Sequence, residues 1–131
     1  MTILVMLETT CRSIWAYALD GKGSQTVDWA AEQIVDDLAT VGLSEERITT
    51  EADQENSIVQ LQHEIAKRRR NYGTAVENSK VGDSNSNGAV ERAIREVEGM
   101  IRTLRSAIEE ATGNEIELTD PIVPWIVGHA L

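Results

Sequence analysis

No phenylalanine occurs in this chain of 131 residues, and its aromatic side chains are Trp15, Trp29, Trp125, Tyr17 and Tyr72. A stacking platform for single-stranded nucleic acid needs several aromatics on one face, so this scarcity argues against one. Cysteine occurs once, as Cys11. A single thiol excludes an intrachain disulfide and a multi-cysteine zinc site. With no His near it and a place in a turn, Cys11 reads as incidental rather than nucleophilic. His63 and His129 stand without a second His or Cys at metal-ligand spacing. Apolar runs reach only about five to seven residues, against the roughly 20 that a membrane-spanning helix needs. The opening Met1-Thr2-Ile3-Leu4-Val5-Met6-Leu7 has no basic segment, which argues against a signal peptide. Gly21-Lys22-Gly23 lacks the rest of a phosphate-binding loop. The expectation is one soluble, intracellular domain over residues 1–131 with no membrane partner.

What is present is a globular composition, with 41% hydrophobic and 26% charged residues. The formal charge is −10, from 12 Lys plus Arg and 22 Asp plus Glu. Such a balance argues against a protein that coats DNA by charge alone. The distribution says more than the total. Residues 1–66 carry 3 basic and 12 acidic side chains, residues 67–108 carry 9 and 5, and residues 109–131 carry none and 5. A basic island of net +4 therefore lies between two acidic regions.

Periodicity divides the chain into eight elements. Ile3 to Leu7 reads as a buried strand, Glu8 to Arg12 as a hairpin turn, and Ser13 to Leu19 as a second strand rich in aromatic and branched residues. A helix is predicted from about Thr26 to Val41, with Val27, Ala31, Ile34, Leu38 and Val41 on one stripe and Gly42 ending it. Trp15 and Trp29 are expected in the core. Arg47 to Ala52 forms a short strand with Asp53 at its C-terminal end. A helix from about Glu55 to Arg70 places Ile58, Leu61 and Ile65 on one face, and its basic last turn suits the helix dipole. Thr74 to Glu77 is a further strand, and Val81 to Gly88 a polar loop. The longest helix runs from about Ala89 to Thr112, with Val90, Ile94, Val97, Ile101, Leu104, Ile108 and Ala111 repeating at alternate steps of four and three. Pro121 opens a last short helix. The order is β-β-α-β-α-β-α-α.

In an α/β domain ligands bind at the C-terminal ends of strands, which singles out Asp53. Glu91 is expected in the first turn of the long helix. Two carboxylates so placed can converge on Mg²⁺, a hard ion that takes oxygen ligands and keeps several waters. Paired ions of this kind activate a water and stabilise a leaving oxygen in phosphodiester chemistry. The plainer alternative is that Asp53 caps the next helix and Glu91 faces the helix dipole.

The stretch Thr49-Thr50-Glu51-Ala52-Asp53-Gln54-Glu55-Asn56-Ser57-Ile58, followed by Ser84-Asn85-Ser86-Asn87-Gly88-Ala89-Val90-Glu91-Arg92-Ala93, resembles the integrase catalytic cores of retrotransposons and other retroelements. These belong to the ribonuclease-H-like superfamily of two-metal nucleases and polynucleotidyl transferases. The family carries an Asp, Asp, Glu triad whose second Asp ends the fourth strand and whose Glu lies on a following helix. Here 37 residues separate Asp53 from Glu91, close to the family's spacing. Ile3 to Glu8 and Ser13 to Tyr17 look like the family's second and third strands, and Pro121 to Ala130 resembles the tail of the retrotransposon type. The resemblance spans nearly the whole chain. It implies an α/β, ribonuclease-H-like mixed sheet flanked by helices. It also implies Asp53 and Glu91 as catalytic and metal-binding residues, Mg²⁺ or Mn²⁺ as cofactor, and DNA (element ends and target) as partner. The family's first Asp lies on a strand that precedes the hairpin and has no counterpart here. The expectation is therefore an N-terminally truncated core that lacks the first central strand, leaves two strand edges unpaired and is inactive alone.

In such cores the helix bearing the Glu lies beside DNA. The resemblance thus points to Arg92 and Arg95, and next to Lys80, as nucleic-acid contacts. Otherwise Arg92 pairs with Glu96 and Arg95 with Glu98 on a solvated face. Lys67 to Arg70 could also meet phosphates, while Arg102 and Arg105 read as solvated. The alternative function is a non-catalytic module for homodimerisation or protein interaction through a sheet edge and the long helix.

Overall fold

The computed structural model describes residues 2–21, 23–52, 55–70, 72–78 and 84–130, with 84–87 described in backbone only. Eight elements occur in the predicted order: β1 (Thr2–Leu7), β2 (Ile14–Leu19), α1 (Ser24–Thr40), β3 (Ile48–Ala52), α2 (Asn56–Arg68), β4 (Thr74–Asn78), α3 (Ser84–Thr112) and α4 (Ile122–His129). They form a mixed α/β protein with two two-stranded sheets, β1–β2 and β3–β4. The chain divides into two compact units. One comprises Met1–Asp20 with Asn87–Leu131, the other Gly21–Ser86. No helix among the described residues is long and apolar enough to cross a membrane.

The first unit is built on a hairpin. β1 and β2 pair antiparallel from Thr2↔Leu19 to Leu7↔Ile14. The turn is held by Glu8, whose carboxylate accepts the N–H groups of Thr10 and Cys11, each at 2.8 Å, and the Cys11 thiol. These bonds offset the left-handed backbone of Arg12, at φ 58, which costs a non-glycine residue about 1 kcal/mol. The Cys11 thiol first, then the Cys11 and Thr10 amides, hold Glu8 at about 2, well below the ordinary 4.5. A carboxylate with a depressed pKa stabilises the fold fully above its unfolded value and loses that effect as pH falls through its folded one. The Glu8 contribution is therefore complete above 4.5 and fades towards 2. Carboxyl NMR should find the Glu8 midpoint near 2, with the Thr10 and Cys11 amide shifts following it. A midpoint above 4 would remove these bonds from the turn.

β1 is half-buried rather than buried, and Ile3 is exposed. Among the described residues β1 shares a sheet with β2 alone, and α4 packs against β2. The core of this unit gathers Ile116, Val123 and Ile126, with Ile101, Leu104 and Ile108 of α3 and Ile122 packed around them. Arg105 fixes the segment after α3. Its Nη2 donates to the Ile116 carbonyl at 2.6 Å, and its Nε lies 3.5 Å from Glu109, which accepts the Ile116 N–H at 3.0 Å.

The second unit contains a β-α-β crossover. β3 and β4 run parallel, from Ile48↔Thr74 to Ala52↔Asn78, and α2 joins them. α1 packs on α2, and α2 on both strands. Ala30, Ala31, Ile34 and Leu38 are the buried residues of α1, close to the predicted stripe. Trp29 falls off that stripe and is 45% exposed, and Trp15 is only half-buried, so neither is the core residue expected. α1 ends in a Schellman motif: Leu43 N–H bonds the Leu38 carbonyl at 2.9 Å and Gly42 N–H that of Ala39 at 3.1 Å, with Gly42 at φ 80. Leu61, Gln62 and Ile65 are the buried residues of α2. The Gln62 amide donates to the carbonyls of Thr50 at 3.2 Å and Glu77 at 3.1 Å, pinning the helix to both strands.

Candidate functional site

Asp53 and Lys80 lie outside the described residues. Glu91, Arg92 and Arg95 are all on α3 and all exposed. α3 begins at Ser84, so the segment Ser84–Gly88, expected as loop, is helical. Glu91 is consequently in the third turn and not the first. The dipole's field falls off within the first turn, so the helix terminus does little for this carboxylate.

The geometry of α3 groups these side chains. At 100° per residue, Glu91, Arg92 and Arg95 fall within an arc of about 100°. Ala93 and Val97, the buried residues of this stretch, lie on the opposite side. Ile94 sits at the margin of the apolar stripe and is 36% exposed, so Ala93 takes the buried place expected for it. Ala111 is exposed as well. The stripe thus turns Glu91, Arg92 and Arg95 outward together: burying Val97 fixes the rotation of the helix, and rotation fixes which charges meet solvent.

The ion pairs among the described residues are Arg68–Glu64 at 3.2 Å and Arg105–Glu109 at 3.5 Å. The Arg92–Glu96 and Arg95–Glu98 pairs are not formed. Arg92 Nε instead approaches the Gly88 carbonyl one turn back, at 3.4 Å. Arg95 lines a shallow open groove of about 540 Å³ with Gly99, Met100, Thr103 and His129. The His129 ring stacks on Trp125, centroids 4.2 Å apart.

Arg102 and Arg105, taken together in the sequence, separate in the structure. Arg105 is committed to Ile116 and Glu109. Arg102 is exposed and falls on the arc of Arg95, seven residues earlier and two turns away. Its guanidinium lies over Gly99, 3.9 Å from where a Cβ would stand. The seven-residue spacing was the signal that adds Arg102 to Arg92 and Arg95.

The Lys67–Arg70 run divides too. Arg69 is 3% exposed and spends its guanidinium inside the protein. It donates to Thr74 Oγ1 at 2.6 Å and to the carbonyls of Leu43 at 2.8 Å and Glu46 at 2.6 Å. Burial pulls its pKa below the ordinary arginine value. Arg69 is therefore not a phosphate contact, and Arg68 is paired with Glu64. Lys67 and Arg70 remain exposed.

Among the described residues, no three His, Cys, Asp or Glu side chains come together as a metal site. Glu91 is the one member of the expected carboxylate pair within them. Compared with protein families, curated proteins and solved structures, the chain matches none.

Proposed function

We propose that this chain is part of an integrase-type catalytic core of a mobile element, and that alone it binds nucleic acid without joining strands. The family role is DNA integration by two-metal phosphoryl transfer. The observation that carries the reading is the strand pairing: an antiparallel hairpin, then a separate parallel pair connected by a helix. In the family the first strand lies between an antiparallel hairpin and the fourth strand, which itself pairs parallel with the fifth, and the two pairs seen here match that arrangement on either side of it. The long helix that follows, with its exposed acid and arginines, supports the same reading.

Asp53 and Glu91 are the residues that would hold Mg²⁺ or Mn²⁺, and the ion would activate a water or a 3′-hydroxyl for attack on phosphorus. The donor set is short by the family's first Asp. With two carboxylates such a site would hold an ion weakly, and the chain's role would be contact with the nucleic-acid backbone. Arg92 and Arg95 make that contact as charges on one helix face, with Arg102 extending it.

Binding to a DNA duplex across a salt series tests this. Each phosphate contact contributes about 0.9 to the slope of log K against log salt. Arg92→Ala with Arg95→Ala should thus flatten the slope by about 1.8. No binding at low salt, or an unchanged slope, would overturn the reading. A nuclease assay with Mg²⁺ or Mn²⁺ should show no cleavage. Robust cleavage lost in Asp53→Asn would show instead that the catalytic centre is complete.

A further inference from the structure

The exposed side of α2 is a row of hydrogen-bonding and cationic side chains. At 100° per residue, Gln60, His63 and Lys67 fall within an arc of about 60°. Arg70 continues the row in the turn just past the helix end, so that the steps are three, four and three. All four residues are exposed. None of them forms a hydrogen bond or an ion pair among the described residues. Leu61, Gln62 and Ile65, the buried residues of α2, lie on the opposite side.

Negative charge is missing from this row, in a chain whose formal charge is −10. Glu64 is the single carboxylate of α2, and Arg68 holds it at 3.2 Å. The helix dipole accounts for cations in a last turn. It does not account for Gln60 and His63 farther up the same line. The row is also held still. Gln62 donates to the carbonyls of Thr50 and Glu77, and Arg69 to those of Leu43 and Glu46, which fixes the rotation of α2 from its buried side. A ligand that meets the row therefore has little ordering of the helix to offset.

We infer that this face of α2 is a second nucleic-acid surface, on which Lys67 and Arg70 contact the phosphates of a duplex and Gln60 and His63 add hydrogen bonds beside them. From Gln60 to Lys67 the row runs about 10 Å along the helix axis. Over that length a duplex offers about six phosphate charges, at one per ~1.7 Å. A cationic row free of carboxylates is complementary to such a polyanion. An acidic protein fits less well. Protein interfaces centre on large buried side chains, aromatic ones above all, and α2 exposes no large apolar side chain. The inference rests on the proposed nucleic-acid role but assigns this contact to the unit Gly21–Ser86, whereas Arg92, Arg95 and Arg102 belong to the other.

Binding of the full chain to a DNA duplex across a salt series tests it. Lys67→Gln with Arg70→Gln should lower the slope of log K against log salt by about 1.8, at about 0.9 per phosphate contact. Combined with Arg92→Ala and Arg95→Ala, the loss should reach about 3.6. Arg12→Gln removes an exposed cation that lies on neither helix and should leave the slope unchanged. If circular dichroism shows that the paired substitution loosens α2, Gln60→Glu decides. It keeps both cations, sets a carboxylate into the row and should weaken binding several-fold. Binding altered by the α3 pair and by neither α2 variant sinks the inference and leaves the proposed function standing. Binding altered by the α2 variants alone keeps the inference and removes α3 from the contact. A slope that Arg12→Gln flattens as much per charge, or tighter capture of poly-glutamate than of the duplex, would overturn the inference, and no duplex binding at low salt removes both.

Discussion

Arg69→Ala should destabilise the protein by about 3–5 kcal/mol, the range for removing a buried group from a hydrogen-bonded network. Arg69 is 3% exposed and among the described residues no carboxylate lies within ion-pair distance of it. Its fork is matched to neutral acceptors: the Leu43 and Glu46 carbonyls after α1, and the Thr74 hydroxyl at the start of β4. Alanine leaves a cavity and removes three charge-assisted hydrogen bonds to part-buried acceptors, each such bond contributing about 1.5–3 kcal/mol. Arg69→Lys keeps the charge but loses the planar fork, and should fall between alanine and wild type. Urea unfolding followed by circular dichroism measures both. A loss under about 1 kcal/mol for Arg69→Ala would mean that water replaces the guanidinium at no great cost.

Ile126→Ala should cost about 3–4 kcal/mol, within the range for truncating a fully buried branched side chain. Ile126 is 1% exposed and touches the cluster formed by Ile116 and Val123, against which Ile101, Leu104 and Ile108 of α3 pack. The cost combines lost transfer energy with the cavity left behind. Leu118, an isomeric side chain of similar size, is 77% exposed. Leu118→Ala should therefore change stability by no more than about 0.5 kcal/mol. Equal effects of the two substitutions would refute the placement of this core.

These residues also show where sequence was enough and where it was not. The order of elements was legible because each helix repeats its apolar residues at threes and fours, and each strand is short and bounded by turn residues. The beginning of α3 was not. Ser84-Asn85-Ser86-Asn87-Gly88 has the composition of a loop, yet once a helix is nucleated each added residue gains a bond at little cost, and the helix extends through it. Trp29 was expected inside because of its size, but helix phase governs, and it lies off the stripe of Ala31 and Ile34. Arg69 was read as one of four cations that could meet phosphates. Its burial was nevertheless written in the spacing, since Leu61, Ile65 and Arg69 follow one another at intervals of four. Of the expected site, Arg92 and Arg95 were named by resemblance and lie exposed on α3, while Arg102, on the same arc, was passed over although its seven-residue spacing from Arg95 was there to read.

The division of the chain has a consequence for its synthesis. The unit Gly21–Ser86 is one continuous stretch and can fold as soon as it clears the ribosome. The other is interrupted: its hairpin precedes that stretch, and α4, which packs on β2, follows it. At about 5–20 residues per second, the hundred or so residues between Leu19 and Ile122 take about 5–20 s to translate. A hairpin closes in about 1–10 μs. For nearly all of that interval, then, the hairpin lacks the helix that packs on β2, and a lone two-stranded hairpin is marginal in water. This unit thus depends on a contact about a hundred residues apart in sequence, and such non-local closure makes its folding slower than that of the continuous unit.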